Sequence, residues 1–137
     1  DRTRVHFNNL MAPDTLVLGN EQTLTQLFIN LLSNARDASP PESPVDISSE
    51  LPGNLTVIHI RDYGHGVEPQ HLGRLFEPFF TTKQQGLGLG LSISRSIIEA
   101  HHGRIWADRP PDDGPGIFMR FTLPLHESKP AKKGAAT

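Results

Sequence analysis

The sequence predicts an α+β fold: a two-layer α/β sandwich in which a mixed, mostly antiparallel sheet carries its helices on one face. One long segment has an apolar residue every three or four positions, as in a helix that packs on one side. Several short apolar runs stand at hairpin-length spacing, which is typical of an antiparallel sheet and argues against a parallel, doubly wound one. With 137 residues and 15.1 kDa, the chain has the length of one domain with one core.

The elements follow in order from local signals. We expect strands near Thr3–Phe7 and Thr15–Leu18, then a helix over Glu21–Ala38 with Asn20 as its N-cap. Further strands are expected at Val45–Glu50 and Leu55–Arg61, a short helix at Pro69–Leu75, a longer one at Leu89–His102 with Gly103 at C′, and strands at Arg104–Asp108 and Ile117–Leu123.

Composition excludes several classes of protein. No run of hydrophobic residues exceeds three, which excludes a transmembrane helix or a signal-peptide core in these 137 residues. Thirteen basic and fifteen acidic residues give a net charge of −2, so no nucleic-acid contact is expected. The absence of cysteine excludes disulfides, thiolate zinc sites and thiol nucleophiles. Because the chain begins with Asp1 rather than Met, we expect a piece of a longer protein.

A polar row accompanies the apolar stripe of the long helix. Asn30, Asn34 and Asp37 are spaced so that they share one helical face. Three oxygen-bearing side chains in a row suit a hard cation such as Mg²⁺. On spacing alone, a solvated polar face explains the same pattern and is favoured.

An acidic turn follows the strand Leu55–Arg61. In Asp62-Tyr63-Gly64-His65-Gly66-Val67, a carboxylate at a strand end precedes two glycines that let backbone approach a ligand. A carboxylate accepts a hydrogen bond from an exocyclic amine, which distinguishes adenine from guanine. An ordinary Asp/Gly turn is the alternative.

A glycine-rich run, Gly86-Leu87-Gly88-Leu89-Gly90-Leu91-Ser92, leads into the predicted second long helix. Glycines before a helix N-terminus expose backbone N–H groups to an anion such as phosphate. The spacing fits neither a Walker A loop nor the dinucleotide fingerprint. A flexible linker is the alternative.

A phenylalanine-rich segment, Leu75-Phe76-Glu77-Pro78-Phe79-Phe80-Thr81-Thr82-Lys83, lies between these two motifs. Its aromatic side chains suit a hydrophobic anchor for a mobile segment that carries a cation. A packed loop with a surface lysine is the alternative.

Together, and in this order, the four segments resemble the N, G1, F and G2 boxes of the ATP-binding catalytic domain of sensor histidine kinases. The boxes read NLLSNARDAS, DYGHGV, LFEPFFTTK and GLGLGLSI, and the resemblance extends from about Val5 to Pro124. It implies the Bergerat-type sandwich shared with gyrase-, chaperone- and mismatch-repair-type ATPases. We expect a catalytic domain over residues 1–126 and a disordered tail or linker over 127–137, which lacks apolar periodicity.

The resemblance also implies the site residues and the ligands, ATP and Mg²⁺. Asn34 is similar to the main Mg²⁺ ligand, Asn30 supports it, and both are the expected catalytic residues. The segment Thr81–Gly90 resembles the ATP lid, and Arg74 is a weaker candidate for phosphate contact. The expected nucleotide-binding residues are Asn34, Asp37, Asp62, Gly64, Gly66, Val67, Thr81, Thr82, Lys83, Gly86, Leu87, Gly88, Leu89, Gly90 and Leu91.

Two positions separate this chain from other members of the family that it resembles. Relatives that hydrolyse ATP have a general-base glutamate where this chain has Asn30, and an amide does not accept a proton near neutral pH. Many members have Lys or Arg where this chain has Asp37, which therefore cannot be a phosphate-binding cation. We expect a phosphotransferase rather than a hydrolase.

The expected partners follow from the histidines. None of the seven is interpreted as a phosphoacceptor: His126 is followed by Glu127 but lies in the tail, and the pair His101–His102 is interpreted as a helix end stabilised by the helix dipole. The resemblance therefore implies a separate dimerisation and phosphoacceptor helical hairpin, a cognate response regulator, a cytoplasmic location and no membrane contact by this domain. The alternatives are an anti-sigma-type serine kinase or a non-catalytic nucleotide-binding module on the same fold. A third alternative is a module that binds no nucleotide.

Overall fold

The computed structural model describes residues 6–11, 19–78 and 90–124. The elements are strand β1 (His6–Asn9), helix α1 (Glu21–Ala38), strands β2 (Pro44–Glu50) and β3 (Leu55–Arg61), a 3₁₀ turn (Pro69–Arg74), helix α2 (Gly90–Ala100), and strands β4 (Ile105–Asp108) and β5 (Phe118–Pro124). The predicted α+β class is confirmed.

The strands form one mixed sheet in the order β1-β2-β3-β5-β4. The β1–β2 pair is parallel, and α1 is the crossover between these strands. The other three pairs are antiparallel, with Arg61 opposite Phe118 in the β3–β5 pair. This register places the end of β3 beside the start of β5, so the turn after β3 lies next to the loop that precedes β5.

The core lies between one face of the sheet and the two helices. Alternate residues of β2, β3 and β5 point into it, and the apolar stripe of α1 packs on them together with Ile98 of α2. Phe121 is fully buried and meets Phe28 edge-on, with ring centroids 5.7 Å apart. The buried apolar residues are Leu24, Leu27, Leu31, Ala35, Val45, Ile47, Ile58, Ile60, Leu75, Phe76, Ile98, Met119, Phe121 and Leu123.

The opposite face of the sheet carries polar and aromatic side chains. His59 is buried there because it stacks on Phe118, with centroids 5.1 Å apart, and its Nε2 lies 2.7 Å from Glu50 Oε2. Arg120 pairs with Asp108 on the same face. Stacking and ion pairs therefore cover this side of the sheet.

Most predicted boundaries agree with the structure to within one or two residues. Helix α1 has the predicted bounds, and Asn20 caps it through a 2.9 Å bond from the Thr23 backbone N–H to Asn20 Oδ1. The first strand runs to Asn9 rather than Phe7, and the short helix predicted from Pro69 is a 3₁₀ helix that ends at Arg74. The predicted strand at 15–18 lies outside the described residues.

The end of α2 corrects two predictions. The helix ends at Ala100, and the residue with left-handed backbone is His102, at φ 65°, rather than Gly103. Gly103 follows as C″, and its N–H bonds the carbonyl of Ile98 over 2.9 Å, as in a Schellman motif. Glycine is required there because an added Cβ would lie 1.9 Å from the Thr122 carbonyl oxygen.

His101 connects the two helices rather than only ending one. Its Nδ1 lies 2.8 Å from the carbonyl of Ile97, and its Nε2 accepts a 3.2 Å bond from the backbone N–H of Asn20. A backbone N–H can only donate, so Nε2 is the acceptor in the contact with Asn20. The interpretation of this helix end as stabilised by the helix dipole stays a prediction, and the structure adds a contact between His101 and the backbone that precedes α1.

Candidate functional site

Asp62 occupies the end of β3 with its carboxylate held by backbone. The residue is only 6% exposed. Its Oδ1 accepts from the backbone N–H of Gly64 at 2.9 Å and of Ile117 at 3.3 Å. Oδ2 accepts no hydrogen bond within the described residues, so one carboxylate oxygen is fixed by the protein and the other remains for an outside donor.

Burial controls the acidity of this carboxyl group. Desolvation raises the pKa of Asp62 above its ordinary value of 3.8, because the charged form is costly away from water. The backbone donors of Gly64 and Ile117 and the nearby Arg61 act on the pKa in the opposite direction. A buried acceptor with a perturbed pKa beside glycine backbone is typical of a ligand-recognition site.

The two predicted glycines of this turn are required by close packing. A Cβ on Gly64 would lie 2.0 Å from the carbonyl oxygen of Ala38, at the end of α1. Gly66 has φ 73° and faces the carbonyl of Gly116, 3.1 Å from where its Cβ would be. Their absent side chains therefore let α1, the turn after β3 and the loop before β5 meet.

The polar row on α1 approaches this turn. Asn34 precedes Ala38 by one helical turn, is half-buried, and its amide makes no hydrogen bond within the described part of the chain. Asn30 accepts a 2.8 Å bond from Gln26 Nε2. Asp37 is exposed, and its Oδ1 lies 3.4 Å from Arg36 Nη2.

The polar row on α1 fits a Mg²⁺ ion that takes most of its ligands from nucleotide phosphates. Among the described residues, no group of three or more acidic, histidine or cysteine side chains could form a protein cage for a metal. Mg²⁺ usually keeps several waters and takes one or two protein oxygens plus substrate phosphates. The amide oxygen of Asn34 is available for such a role.

The phosphate side of the site is described only at its helical end. Helix α2 begins at Gly90, with Leu91 partly buried against the core. Thr81, Thr82, Lys83, Gly86, Leu87, Gly88 and Leu89, which carry the rest of the predicted lid and phosphate loop, lie outside the described residues. Arg74 is exposed and its Nε lies 3.3 Å from Glu77 Oε1.

The start of the phenylalanine-rich segment is an anchor. Leu75 and Phe76 are 8% and 5% exposed and belong to the core. Val67, predicted to contact nucleotide, is partly buried and packs against the same core. The chain between the turn after β3 and residue 78 therefore packs against the core on the helix side of the sheet.

An apolar groove of about 590 Å³ runs along another side of α1, lined by residues such as Phe7, Phe28 and Ile29. Phe7 lies on β1, and the helical positions Phe28 and Ile29 face away from Asn30 and Asn34, because successive helical residues are about 100° apart. The groove therefore lies apart from the polar row and from Asp62.

Sequence reasoning missed three residues of this site. Ile117 donates to Asp62 and accepts from it, Gly116 packs on it, and Arg61 bonds its carbonyl oxygen. A Cβ on Gly116 would lie 2.0 Å from the Asp62 carbonyl oxygen. The available signal was the sequence Gly114-Pro115-Gly116 directly before a strand, which is also typical of an ordinary loop.

Comparison with known proteins identifies the family. The model of the histidine kinase-, DNA gyrase B- and HSP90-like ATPases matches residues 19–127. The chain belongs to this family. It is an ATP-binding catalytic domain of the histidine kinase type, and its predicted relationship is confirmed.

The relatives of this histidine kinase-type domain include sensor kinases and solved catalytic domains. The sensor protein FixL of Bradyrhizobium diazoefficiens is 40% identical over 112 residues, covering 80% of this chain and 22% of FixL. The sensor histidine kinase TmoS of Ectopseudomonas mendocina is 36% identical over 123 residues, covering 84% of this chain and 13% of TmoS. The mycobacterial sensor histidine kinase MprB superposes with a TM-score of 0.81 at 30% identity, over 91% of this chain and 85% of that structure.

These matches define what is established for the domain. It is an ATP-binding domain of the kinase family used in two-component signal transduction. The chain spans 22% of the length of FixL and 13% of the length of TmoS. Within the described residues, no helix has the length and apolar character needed to cross a bilayer.

Proposed function

We propose that this domain binds Mg·ATP and donates its γ-phosphate to a histidine on a separate dimerisation and phosphoacceptor helical hairpin of a sensor kinase. In this step the bond between the γ-phosphorus and the β,γ-bridging oxygen breaks, and a bond from phosphorus to an imidazole nitrogen forms. ADP leaves, and the imidazole proton passes to solvent. A cognate response regulator would then receive the phosphoryl group, and the cytoplasm is the expected location.

Base recognition in this proposal depends on Asp62. A carboxylate whose Oδ1 is held by two backbone N–H groups keeps Oδ2 in one direction. Oδ2 would accept the 6-amino group of adenine, whereas guanine presents a carbonyl oxygen in that position, which a carboxylate repels. Gly64, Gly66 and Val67 would shape the wall beside the base.

Phosphate binding would involve both helices. Asn34, with Asn30 beside it, would hold Mg²⁺, which neutralises charge on the phosphates during transfer. Gly90 and Leu91 at the start of α2 would offer backbone N–H groups. The other proposed nucleotide contacts are Asp37, Thr81, Thr82, Lys83, Gly86, Leu87, Gly88 and Leu89, within a catalytic domain over residues 1–126 followed by a tail over 127–137.

Phosphoryl transfer is favoured over ATP hydrolysis because Asn30 stands at the position of the general base. Its amide oxygen accepts from Gln26, and an amide cannot take a proton from water near neutral pH. Catalysis would then consist of positioning and charge neutralisation, with an outside imidazole as nucleophile.

The test is to measure nucleotide binding and steady-state ATP hydrolysis by the purified chain in Mg²⁺. We expect saturable binding of Mg·ATP with negligible phosphate release. Replacing Asn30→Glu, which introduces a carboxylate at the general-base position, is the comparison variant. Substantial steady-state hydrolysis by the unmodified chain would contradict the proposal, and absence of Mg·ATP binding would indicate a module that binds no nucleotide.

A further inference from the structure

Arg61, the last residue of β3, joins this strand to the loop before β5. Its side chain is 9% exposed. Nε donates to the backbone carbonyl of Asp62, Nη2 to the carbonyl of Pro115 and Nη1 to Asp112 Oδ2, each at 3.1 Å. The guanidinium lies 4.0 Å from the ring centroid of Tyr63. One planar cation thus bonds both sides of the junction.

The loop that Arg61 holds, residues 109–117, supplies one of the two backbone N–H groups that donate to the Asp62 carboxylate. The N–H of Ile117 donates to Asp62 Oδ1 at 3.3 Å, and the N–H of Asp62 donates to the Ile117 carbonyl at 3.1 Å. Gly116 packs so closely on Asp62 that a Cβ added to this glycine would lie 2.0 Å from the Asp62 carbonyl oxygen. If the loop moved outward, Oδ1 would keep only the donor from Gly64 and the carboxylate could rotate.

We propose that Arg61 is a positioning residue for adenine recognition: it fixes the loop 109–117 against the turn after β3, so that Asp62 presents Oδ2 in one orientation to the base. The inference rests on the proposed role of Asp62 in nucleotide binding. Arg61 itself acts through Asp62 and the loop, not by contact with the nucleotide.

The hydrogen bonds from Arg61 to backbone carbonyls contribute more to this positioning role than its ion pair with Asp112. The Asp112 side chain is 63% exposed, and ion pairs at exposed positions contribute little. The acceptors on Asp62 and Pro115, in contrast, are met by a buried guanidinium. A lysine offers a point charge and cannot reach these divergent acceptors together, because only the guanidinium has a fixed planar fork.

The experiment compares the 137-residue chain with Arg61→Met and Arg61→Lys by calorimetric titration with two nucleotides. The first is ATP, and the second is purine riboside triphosphate, which lacks only the 6-amino group. We expect Arg61→Met to weaken ATP binding about tenfold, the size of one hydrogen bond to a charged group, with less than about a twofold change for the analogue. Arg61→Lys keeps the charge and is expected to lose most of the preference for ATP as well, which keeps the test decisive if Arg61→Met does not fold.

The matched control is Arg120→Met. Arg120 lies on the same face of the sheet as His59, pairs with Asp108 and lies 5.1 Å from the Trp106 ring centroid, and none of its described bonds reaches the loop. This variant is expected to bind both nucleotides like the unmodified chain. Asp112→Asn removes the negative charge that faces Arg61, while its amide oxygen can still accept from the Gly114 N–H. This variant is expected to change ATP affinity less than about twofold.

The results separate the two proposals. Unchanged ATP preference in folded Arg61→Met and Arg61→Lys, or an equal loss of affinity for both nucleotides, would overturn the positioning role alone. Failure of the unmodified chain to bind ATP would overturn the proposed function and this inference with it.

Discussion

Replacing Asp62→Asn changes one atom of the carboxylate and tests how this site recognises a base. The amide oxygen of the introduced side chain can take the place of Oδ1 and accept from the same backbone N–H groups of Gly64 and Ile117. Its NH₂ group then takes the place of Oδ2. A donor replaces the acceptor, so the variant faces the 6-amino group of adenine with like polarity.

The expected loss follows from the chemistry of that single contact. A hydrogen bond to a charged acceptor contributes about 1.5–3 kcal/mol, and about 1.4 kcal/mol corresponds to a tenfold change in affinity. ATP should therefore bind the variant about 10- to 100-fold more weakly. Purine riboside triphosphate, which has no 6-amino group, should bind the variant and the unmodified chain alike, because it never made the contact.

The same substitution should leave the fold intact or stabilise it. Since burial raises the pKa of Asp62, the folded state binds more protons than the unfolded state at pH values between the ordinary pKa of 3.8 and the raised one. Stability of the unmodified chain therefore falls as pH rises through that interval. The introduced amide does not titrate, so the melting temperature of the variant, relative to the unmodified chain, should rise across the same interval and then level off.

The assay combines calorimetric titration of both nucleotides with melting curves from about pH 4 to about pH 7, a range that begins near the ordinary pKa of an aspartate. Equal ATP affinity in both proteins would refute the recognition role of Asp62. A variant that is clearly less stable at neutral pH than in acid, relative to the unmodified chain, would refute the account of its burial.

Three further predictions concern the surrounding structure. Asn34→Ala should weaken ATP binding about tenfold in Mg²⁺ and hardly change it in EDTA, because one cation ligand is lost; equal affinities in Mg²⁺ would count against the metal role. Gly64→Ala should lower the free energy of unfolding by about 2 kcal/mol or more, because its Cβ would lie 2.0 Å from the Ala38 carbonyl oxygen. The control is Gly73→Ala, whose Cβ would meet nothing within 4 Å and which should be nearly neutral in urea denaturation. His101→Ala should cost about 1 kcal/mol in the same assay through its two lost hydrogen bonds, and an unchanged midpoint would show that they contribute nothing.

Features determined by neighbours along the chain were predictable from the sequence. The bounds of α1 and its Asn20 cap were correct because the apolar period, the cap side chain and the prolines that follow are all local signals. The burial of Leu75 and Phe76 agrees with the aromatic content of their segment. The roles of Asn34 and Asp62 in binding remain predictions, although the structure places them on adjoining elements.

Features determined by distant partners were not predictable in this way. Gly103 was expected at C′ because glycine usually occupies that position, but the Thr122 carbonyl, 19 residues further on, requires it at C″. Arg61 showed no local signal, since Asp112 and Pro115 lie 51 and 54 residues away. The contact of His101 with Asn20 was not predicted, because these residues are 81 positions apart and meet only in the fold.

Transfer of phosphate to histidine is the central claim, and one labelling experiment tests it most directly. The chain is mixed with Mg²⁺, γ-labelled ATP and the phosphoacceptor helical hairpin of the proposed sensor kinase, with a hairpin carrying a His→Gln change as control. We predict label on the unmodified hairpin alone that is lost in acid and retained in base, as phosphohistidine is. Acid-stable label on a serine, or free phosphate with no labelled hairpin, would contradict the proposed function.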